Sequence, residues 1–347
     1  MSSSSPIRLE AAALDSYLER QVQALADRVL VLRALPGSYL HRFGVSSLRC
    51  AQTWKPDADA LLQLGVELVT ETAGPVDLAV VFGTKHKEET LFHFAQAVEA
   101  LEEGGTFIGV AANGLGAPSL EKRCGELLGG IASYSKHKCR VFRATKDAAR
   151  LNQELLRQWL ALGEWRTLPD SGLYTRAGVF GGKQTDPGSR LLAGFLPMDL
   201  SGRGADLGAG YGYLSHALLA GKRAVAELHL FEGEKKALEA AERNLAEYAG
   251  AGKPRLHFHW ADVTRGLPVR NLDFVVMNPP FHAGRDAVPS LGRTFVQVAL
   301  TALRPGGRLF LVANRKLPYE NELDSAGGRL LEMHEGGGYK ALAAVKA

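Results

Sequence analysis

Between Asp273 and His282 the chain reads Asp-Phe-Val-Val-Met-Asn-Pro-Pro-Phe-His. Phe274 to Met277 is an apolar run of the kind buried on both faces of a parallel sheet, and it halts at Asn278. Pro279 and Pro280 have no backbone N–H and a fixed φ, so they cannot extend a ladder, and Asn278 is biased towards extended backbone by the proline after it. The strand must therefore end in a stiff loop that holds an amide side chain, free carbonyls and the Phe281 ring in fixed relation. In an open α/β sheet, ligands sit at that edge. A second stretch, Asp206-Leu-Gly-Ala-Gly-Tyr-Gly212, offers complementary chemistry. Gly208 and Gly210 let the backbone turn tightly and approach a ligand, and the helix expected from Gly212 onward presents free N–H groups. Glu232 closes the next expected strand about twenty residues past the loop, where a carboxylate can accept both hydroxyls of a ribose. Asp262, after His259-Trp260, can accept from an adenine amino group or simply cap a turn. Two cofactor families use such a loop. A dinucleotide site asks for G-x-G-x-x-G, whereas here the third glycine comes one residue early, and such a site has no need of Asn-Pro-Pro-Phe.

The elements that must position these residues follow from periodicity. In the second half we expect a helix over 191–196, a strand over 204–207, a helix over 212–219, a strand over 226–232 and a helix over 234–248. Strands over 255–260 and 274–277, a helix from about 292 to 303, a strand over 308–313 and a closing antiparallel pair (329–334, 341–346) follow. The first half shows the same alternation: helices over 9–28, 57–64, 88–103, 119–128 and 147–162, and strands over 28–33, 66–70, 77–82, 106–112 and 138–144. This is the rhythm of two parallel sheets. The aperiodic passage 166–188 places a boundary there, giving domains 1–168 and 169–347.

Composition agrees with a globular α/β protein: 347 residues, 46% hydrophobic and 22% charged. The net charge of +4 is carried by the second half, where residues 171–347 hold 22 Lys+Arg against 17 Asp+Glu. That bias is compatible with a polyanionic partner. The run from Lys136 to Arg150 holds six Lys or Arg and one acid, so it reads as a phosphate contact or as a solvated face. The three cysteines have no metal-ligand spacing and no even count to pair, so no metal is expected and a reducing compartment is. Ser2 to Ser5 lead into an acidic periodic segment without a basic and apolar leader, and no apolar run reaches the ~18 residues of a membrane span. A cytoplasmic protein acting away from membranes is the expectation.

The halves repeat. Asp77-Leu-Ala-Val-Val-Phe, a helix and Glu102-Glu-Gly-Gly-Thr-Phe-Ile-Gly-Val-Ala-Ala-Asn113 run parallel to Asp273-Phe-Val-Val-Met-Asn, a helix and Arg304-Pro-Gly-Gly-Arg-Leu-Phe-Leu-Val-Ala-Asn314. Where the second copy has Asn278-Pro-Pro-Phe281, the first has Gly83-Thr-Lys-His86, and it lacks the glycine loop. The chemistry is expected in the second copy alone.

Asp-x-Gly-x-Gly-x-Gly, an acid ending the next strand, Ala-Asp after the third and Asn-Pro-Pro-Phe after the fourth resemble the class I S-adenosylmethionine-dependent methyltransferases. Asn-Pro-Pro-Phe-His282, a degenerate first half and a late Val-Ala-Asn314 with Leu-Pro-Tyr319 resemble the ribosomal RNA guanine-N2 methyltransferases, most of all those of the small subunit. Ala209 and Tyr211 replace the Cys and Asn often found in that family's loop, and Glu232 stands where Asp is usual. The resemblance implies two Rossmann-like domains from a duplication, the first degenerate and the second catalytic. It implies S-adenosyl-L-methionine held by Asp206, Gly208, Gly210, Gly212, Glu232, Asp262 and Asn278, with catalysis by Asn278, Pro279, Pro280 and Phe281. The expected reaction is methyl transfer to N2 of a guanine in 16S rRNA, by a monomer acting on ribosomal RNA or the small subunit. Guanine in 23S rRNA, adenine N6 or a protein glutamine are alternative acceptors, and a non-enzymatic RNA-binding protein is another reading. On this chemistry the Asn278 side-chain oxygen and the Pro279 carbonyl accept the N–H bonds of a conjugated amine, which is otherwise a poor nucleophile. Phe281 stacks on the base, a contact worth roughly 1 to 3 kcal/mol. A paired guanine would have to be unpaired or flipped out to be reached. Asp186, in Asp-Pro-Gly-Ser-Arg190, reads as a helix cap or as a segment closing over the methionine end of the cofactor.

Overall fold

The computed structural model describes residues 8–21, 26–43, 48–70, 74–280, 282–283, 286–287 and 289–347. It divides into two compact units, Met1–Glu164 and Trp165–Ala347. The first runs α1 (Leu9–Leu18), β1 (Val29–Leu32), β2 (Leu48–Ala51), α2 (Lys55–Gln63), β3 (Val76–Phe82), α3 (Lys87–Ala100), β4 (Leu101–Ala112), α4 (Ala117–Leu128), β5 (Ala132–Lys136), β6 (Cys139–Thr145) and α5 (Gln153–Ala161). Its sheet has the order β2-β1-β3-β4-β6-β5, parallel except where β6 runs against β4 and β5. Leu68 adds one parallel bridge to Cys50 on β2.

The second unit runs β7 (Arg166–Thr167), β8 (Tyr174–Thr175), α6 (Pro187–Phe195), β9 (Ser201–Leu207), α7 (Tyr213–Ala220), β10 (Ala224–Glu232), α8 (Lys235–Leu245), β11 (Arg255–Trp260), β12 (Leu272–Met277), β13 (His282–Ala283), β14 (Asp286–Ala287), α9 (Pro289–Ala302), β15 (Leu303–Asn314), α10 (Tyr319–Ser325), β16 (Gly328–Gly336) and β17 (Tyr339–Lys346). Its seven-stranded sheet is ordered β11-β10-β9-β12-β15-β17-β16, with β17 antiparallel to both neighbours. β12 is buried on both faces, as its apolar run requires: Phe274 and Val276 join one core and Val275 and Met277 the other.

Placed end to end, the two sheet orders are the same, the Leu68 bridge standing where the second unit has a full strand, β11. The likeness reaches the register. Val76 pairs with Leu101 and Leu78 with Thr106 across a slip, as Leu272 pairs with Leu303 and Phe274 with Arg308. Lys146 Nζ donates to the Leu101 carbonyl at 2.5 Å, and Lys346 Nζ to the Leu303 carbonyl at 2.7 Å. One cross-strand pair differs in kind. Gly109 faces Phe142 in the first unit, and a Cβ on Gly109 would lie 2.1 Å from that ring; the corresponding pair in the second is Leu311 and Leu342.

Several expected boundaries move. The helix expected over 88–103 ends at Ala100, because Leu101 is buried against the sheet and begins a strand that runs through the Gly-Gly slip. The helix expected over 147–162 begins only at Gln153, where the Asn152 side chain accepts the Leu155 N–H, while the Asp147 carbonyl closes a separate turn with Arg150 and Leu151. The helix expected over 9–28 stops at Leu18. β5 and α10 carry too little apolar periodicity to be foreseen. In the basic run, Arg140 pairs with Glu121, Lys146 holds Leu101, Arg150 Nη2 donates to the Gly129 carbonyl at 2.9 Å and Arg143 Nη2 to Thr106 at 3.3 Å. Four of the six basic side chains are thus engaged within the first unit, Arg140 by an acid and the other three by neutral acceptors.

Candidate active site

β9, β10, β11 and β12 are parallel, so Leu207, Glu232, Trp260 and Met277 end at one edge of the second sheet. Met277 is paired with Leu207, so Asn278 and Gly208 leave the sheet side by side. The two stretches singled out from the sequence therefore share one edge.

The glycine loop is folded back on β10. The Gly208 and Ala209 N–H groups donate to the Phe231 carbonyl at 2.8 and 3.1 Å. Gly208, Gly210 and Gly212 all take left-handed backbone, with φ of 71°, 57° and 83°. At Gly210 a Cβ would meet nothing within 4 Å, so the hydrogen there borders open space. Glu232 is the strut beneath the loop: Oε2 accepts the Gly210 N–H at 2.8 Å and Oε1 accepts the Glu234 N–H at 2.7 Å. Burial raises its carboxyl above the ordinary range, and the amides of Glu234 and Gly210 pull it back. From the other side Asn244 on α8 donates to the Tyr211 carbonyl at 2.8 Å.

Asp206 is buried at the end of β9. Its Oδ2 accepts the Ser215 hydroxyl at 2.7 Å, while Oδ1 is shielded from solvent with no hydrogen-bond partner among the described residues. Burial pushes this carboxyl up to about 7, against the pull of Ser215. A buried acceptor without a donor, below a loop with room at Gly210, fits a ligand carrying hydrogen-bond donors. Asp262 takes the capping role: Oδ1 accepts the Thr264 N–H at 3.0 Å and the Thr264 hydroxyl at 2.6 Å. The Ala261 N–H donates to the Glu232 carbonyl at 2.9 Å, which keeps Asp262 next to the β10 end.

Asn278 is half-buried, Pro279 is buried and Pro280 exposed. Both hydrogens of the Asn278 amide are used, since Nδ2 donates to Asp186 Oδ2 at 2.9 Å and to Ser189 Oγ at 2.7 Å. The orientation of the amide is thereby set, and Oδ1 remains as an acceptor. Asp186 is the N-cap of α6, its Oδ2 also accepting the Ser189 N–H at 2.8 Å. One carboxylate oxygen thus ties the start of α6 to the end of β12. Ser189, Ser215 and Asn244 were not singled out from the sequence; only the Asp-x-x-Ser capping pattern at 186–189 hinted at the first. Phe281 lies outside the described residues.

The first unit differs at the matching edge. Leu32 pairs with Val81 as Leu207 pairs with Met277, which puts Arg33 in the place of Gly208 and in the same left-handed backbone, φ 55°. Its guanidinium contacts Thr53 and lies 3.8 Å from buried Glu89, whose Oε2 accepts the Thr84 hydroxyl at 2.8 Å. Side chains of the unit itself occupy that position.

The sequence profile of the methyltransferase small domain matches residues 170–343. The chain belongs to that family. Ribosomal RNA small subunit methyltransferase C of Mannheimia succiniciproducens is 28% identical over 312 residues, covering 88% of this chain and 91% of the relative. The protein of the same name from Pectobacterium atrosepticum is 27% identical and covers 96% and 94%. Among solved structures, the 16S rRNA N2 methyltransferase of T. thermophilus, in complex with AdoMet and guanosine, superposes with a TM-score of 0.79 at 25% identity. That likeness covers 96% of this chain and 91% of the other, so it takes in both units, while the family profile lies within the second.

Proposed function

We propose that the protein transfers a methyl group from S-adenosyl-L-methionine to the exocyclic N2 of a guanine in 16S rRNA of the small ribosomal subunit. The observation that carries this is the Asn278 amide, whose Nδ2 is held by Asp186 and Ser189, leaving its oxygen as an acceptor at the sheet edge that also carries the glycine loop. The small-subunit methyltransferases aligned over nearly the whole chain, and the neighbour solved with AdoMet and guanosine, support guanine in the small subunit over 23S rRNA, adenine N6 or glutamine as acceptor.

The residues present fit the cofactor. Asp206, Gly208, Gly210, Gly212, Glu232 and Asp262 would hold it, Asp206 through its partnerless Oδ1 and the loop through the room at Gly210. When bound, S-adenosylmethionine supplies an electrophilic methyl group on a sulfonium. The chain supplies acceptors and position. Asn278 Oδ1 and the Pro279 carbonyl accept the two N–H bonds of the amine, which draws its lone pair out of conjugation and aims it. The amine becomes acidic once methylated, so the proton can leave to water without a strong base. Pro279 and Pro280 keep the loop stiff, and Phe281 stacks on the flipped base.

Residues 169–347 serve as the catalytic domain, and residues 1–168 support substrate binding or folding with no methyl donor of their own. The enzyme acts as a monomer in the cytoplasm, where its substrate is. No described helix is long and apolar enough to cross a membrane. The test is nucleoside mapping of 16S rRNA from cells lacking the gene. One N2-methylguanine should disappear and return with the wild-type gene but not with Asn278→Ala; retention of every such nucleoside refutes the assignment.

A further inference from the structure

The opposite end of β10 and β11 carries a cluster that methyl transfer does not use. The strands pair Glu227 with Arg255, His229 with His257 and Phe231 with His259. These side chains share one face, as the two-residue period of a strand requires. The rings of His257 and His229 stack at 4.5 Å, those of His229 and His259 at 5.3 Å and those of His259 and Phe231 at 4.3 Å. Glu227 is buried, and its Oε1 lies 2.9 Å from His229 Nε2 and 3.3 Å from His257 Nε2. His257 Nε2 is shielded from solvent and has no hydrogen-bond partner among the described residues.

We propose that Glu227, His229 and His257 form a binding site for a divalent transition-metal ion of the zinc class. One ligand atom from each lies within 4.8 Å of the others. Donors about 2.0 to 2.2 Å from a tetrahedral ion stand roughly 3.3 Å apart, so the spacing of the three groups suits one ion, while the direction of one ring must change to meet it. Two imidazole nitrogens and a carboxylate oxygen are a zinc-type donor set that leaves the fourth position to water. The outer contacts agree. A metal on His229 Nε2 requires the ring proton on Nδ1, and His259 Nε2 stands 3.1 Å from that atom as its acceptor.

Two features set the character of the site. Arg203 Nε and Arg255 Nη2 donate to Glu227 Oε2 at 3.2 and 2.9 Å, which leaves Oε1 to the ion but opposes a second positive charge. The site therefore favours ions that bind nitrogen strongly, such as Zn²⁺, Cu²⁺ or Co²⁺, over Mg²⁺ and Ca²⁺. The His229 and His257 planes are only 12° apart, so both cannot point at one ion as they stand. Rotation of the half-exposed His257 ring about its soft Cβ–Cγ torsion closes the site. A bound ion would clasp β10 to β11, the strands that carry Glu232 and precede Asp262 at their other ends.

The experiment is a Co²⁺ titration of the untagged full-length protein, followed by visible absorption. Saturation at one equivalent is expected, with bands removed by Zn²⁺, and Zn²⁺ should raise the melting temperature. His257→Ala should weaken Co²⁺ binding at least tenfold and cancel the thermal shift, while His259→Phe should weaken it about tenfold through the lost acceptor. His257→Gln, of similar size at a half-exposed position, gives the same readout if the alanine variant does not fold. Absence of one-equivalent saturation in the wild type, or wild-type titration by a folded His257 variant, overturns the proposal.

Discussion

Orientation of one side-chain amide is the most exposed point of the mechanism. Nδ2 of Asn278 has two hydrogens and two acceptors, Asp186 Oδ2 at 2.9 Å and Ser189 Oγ at 2.7 Å. Turning the amide over would set Oδ1 against the Asp186 oxygen, so the carboxylate alone opposes the flip and the serine adds to it. A neutral hydrogen bond of this type contributes about 1 kcal/mol net, so Ser189→Ala should lower kcat about fivefold. On the proposed mechanism Asn278→Ala removes an acceptor for the reacting amine, a loss of about 3 to 4 kcal/mol or 10²- to 10³-fold in kcat. The double variant is the informative one. If Ser189 acts only through Asn278, the pair should be no slower than Asn278→Ala alone, with a coupling energy of about 1 kcal/mol. The assay is single-turnover transfer of labelled methyl groups to 16S rRNA in small subunits, with cofactor affinity measured in parallel and expected to change by no more than a few fold. Additive effects of the two substitutions, or turnover by Asn278→Ala near the wild-type rate, would show that the amide does not do what is described.

Asn278→Asp keeps the shape but sets a second carboxylate 2.9 Å from Asp186, a repulsion of about 6 kcal/mol at an effective dielectric of 20, enough for the pair to share one proton through neutral pH; its activity should persist near neutrality and fall at alkaline pH as that proton leaves, and a flat pH–rate profile would contradict this. Gly210→Arg places a side chain in the open space of the loop, and calorimetry should find no S-adenosylmethionine binding; unchanged affinity would remove that loop from the cofactor site. Calorimetry of the wild type should give one cofactor per chain, because Arg33 and Glu89 occupy the matching place in the first unit, and a stoichiometry of two would refute that. Asp206 links stability to pH. Its carboxyl is raised from 3.8 to about 7, so between those values the unfolded chain has lost a proton that the folded one keeps. This group's contribution to stability therefore falls as pH rises through the window, by about 4 kcal/mol in all. Melting of the cofactor-free protein should show the wild type losing ground to Asp206→Asn from pH 4 to 7, and a constant difference would contradict it.

What could be read in the sequence is what local chemistry dictates. The apolar run before Asn278 had to be a buried strand, two prolines had to end it, and glycines after Leu207 had to be a turn. The repeat was visible because β4 and β15 bury the same positions of the same length of strand. What could not be read depends on residues far apart. Asp186 and Ser189 lie 92 and 89 positions from Asn278, and nothing local says that a helix cap will also hold the acceptor amide. Arg33 is equally opaque, since left-handed backbone at an arginine has no sequence signature until its register is known.

The unlike pairs at Gly109 and Leu311 bear on how such a chain avoids folding wrongly. Two units with one strand order and one register offer each other's strands as plausible partners during synthesis and refolding. Exchange of β4 for β15 would force Leu311 against the Phe142 ring, where not even a Cβ fits, or leave Gly109 facing Leu342 across an empty space. Overfilling and underfilling each cost on the order of 1 to 3 kcal/mol, enough to bias pairing at the moment it is chosen. The unlike pairs at Gly109 and Leu311 thus give β4 and β15 a size-coded address, each in its own sheet.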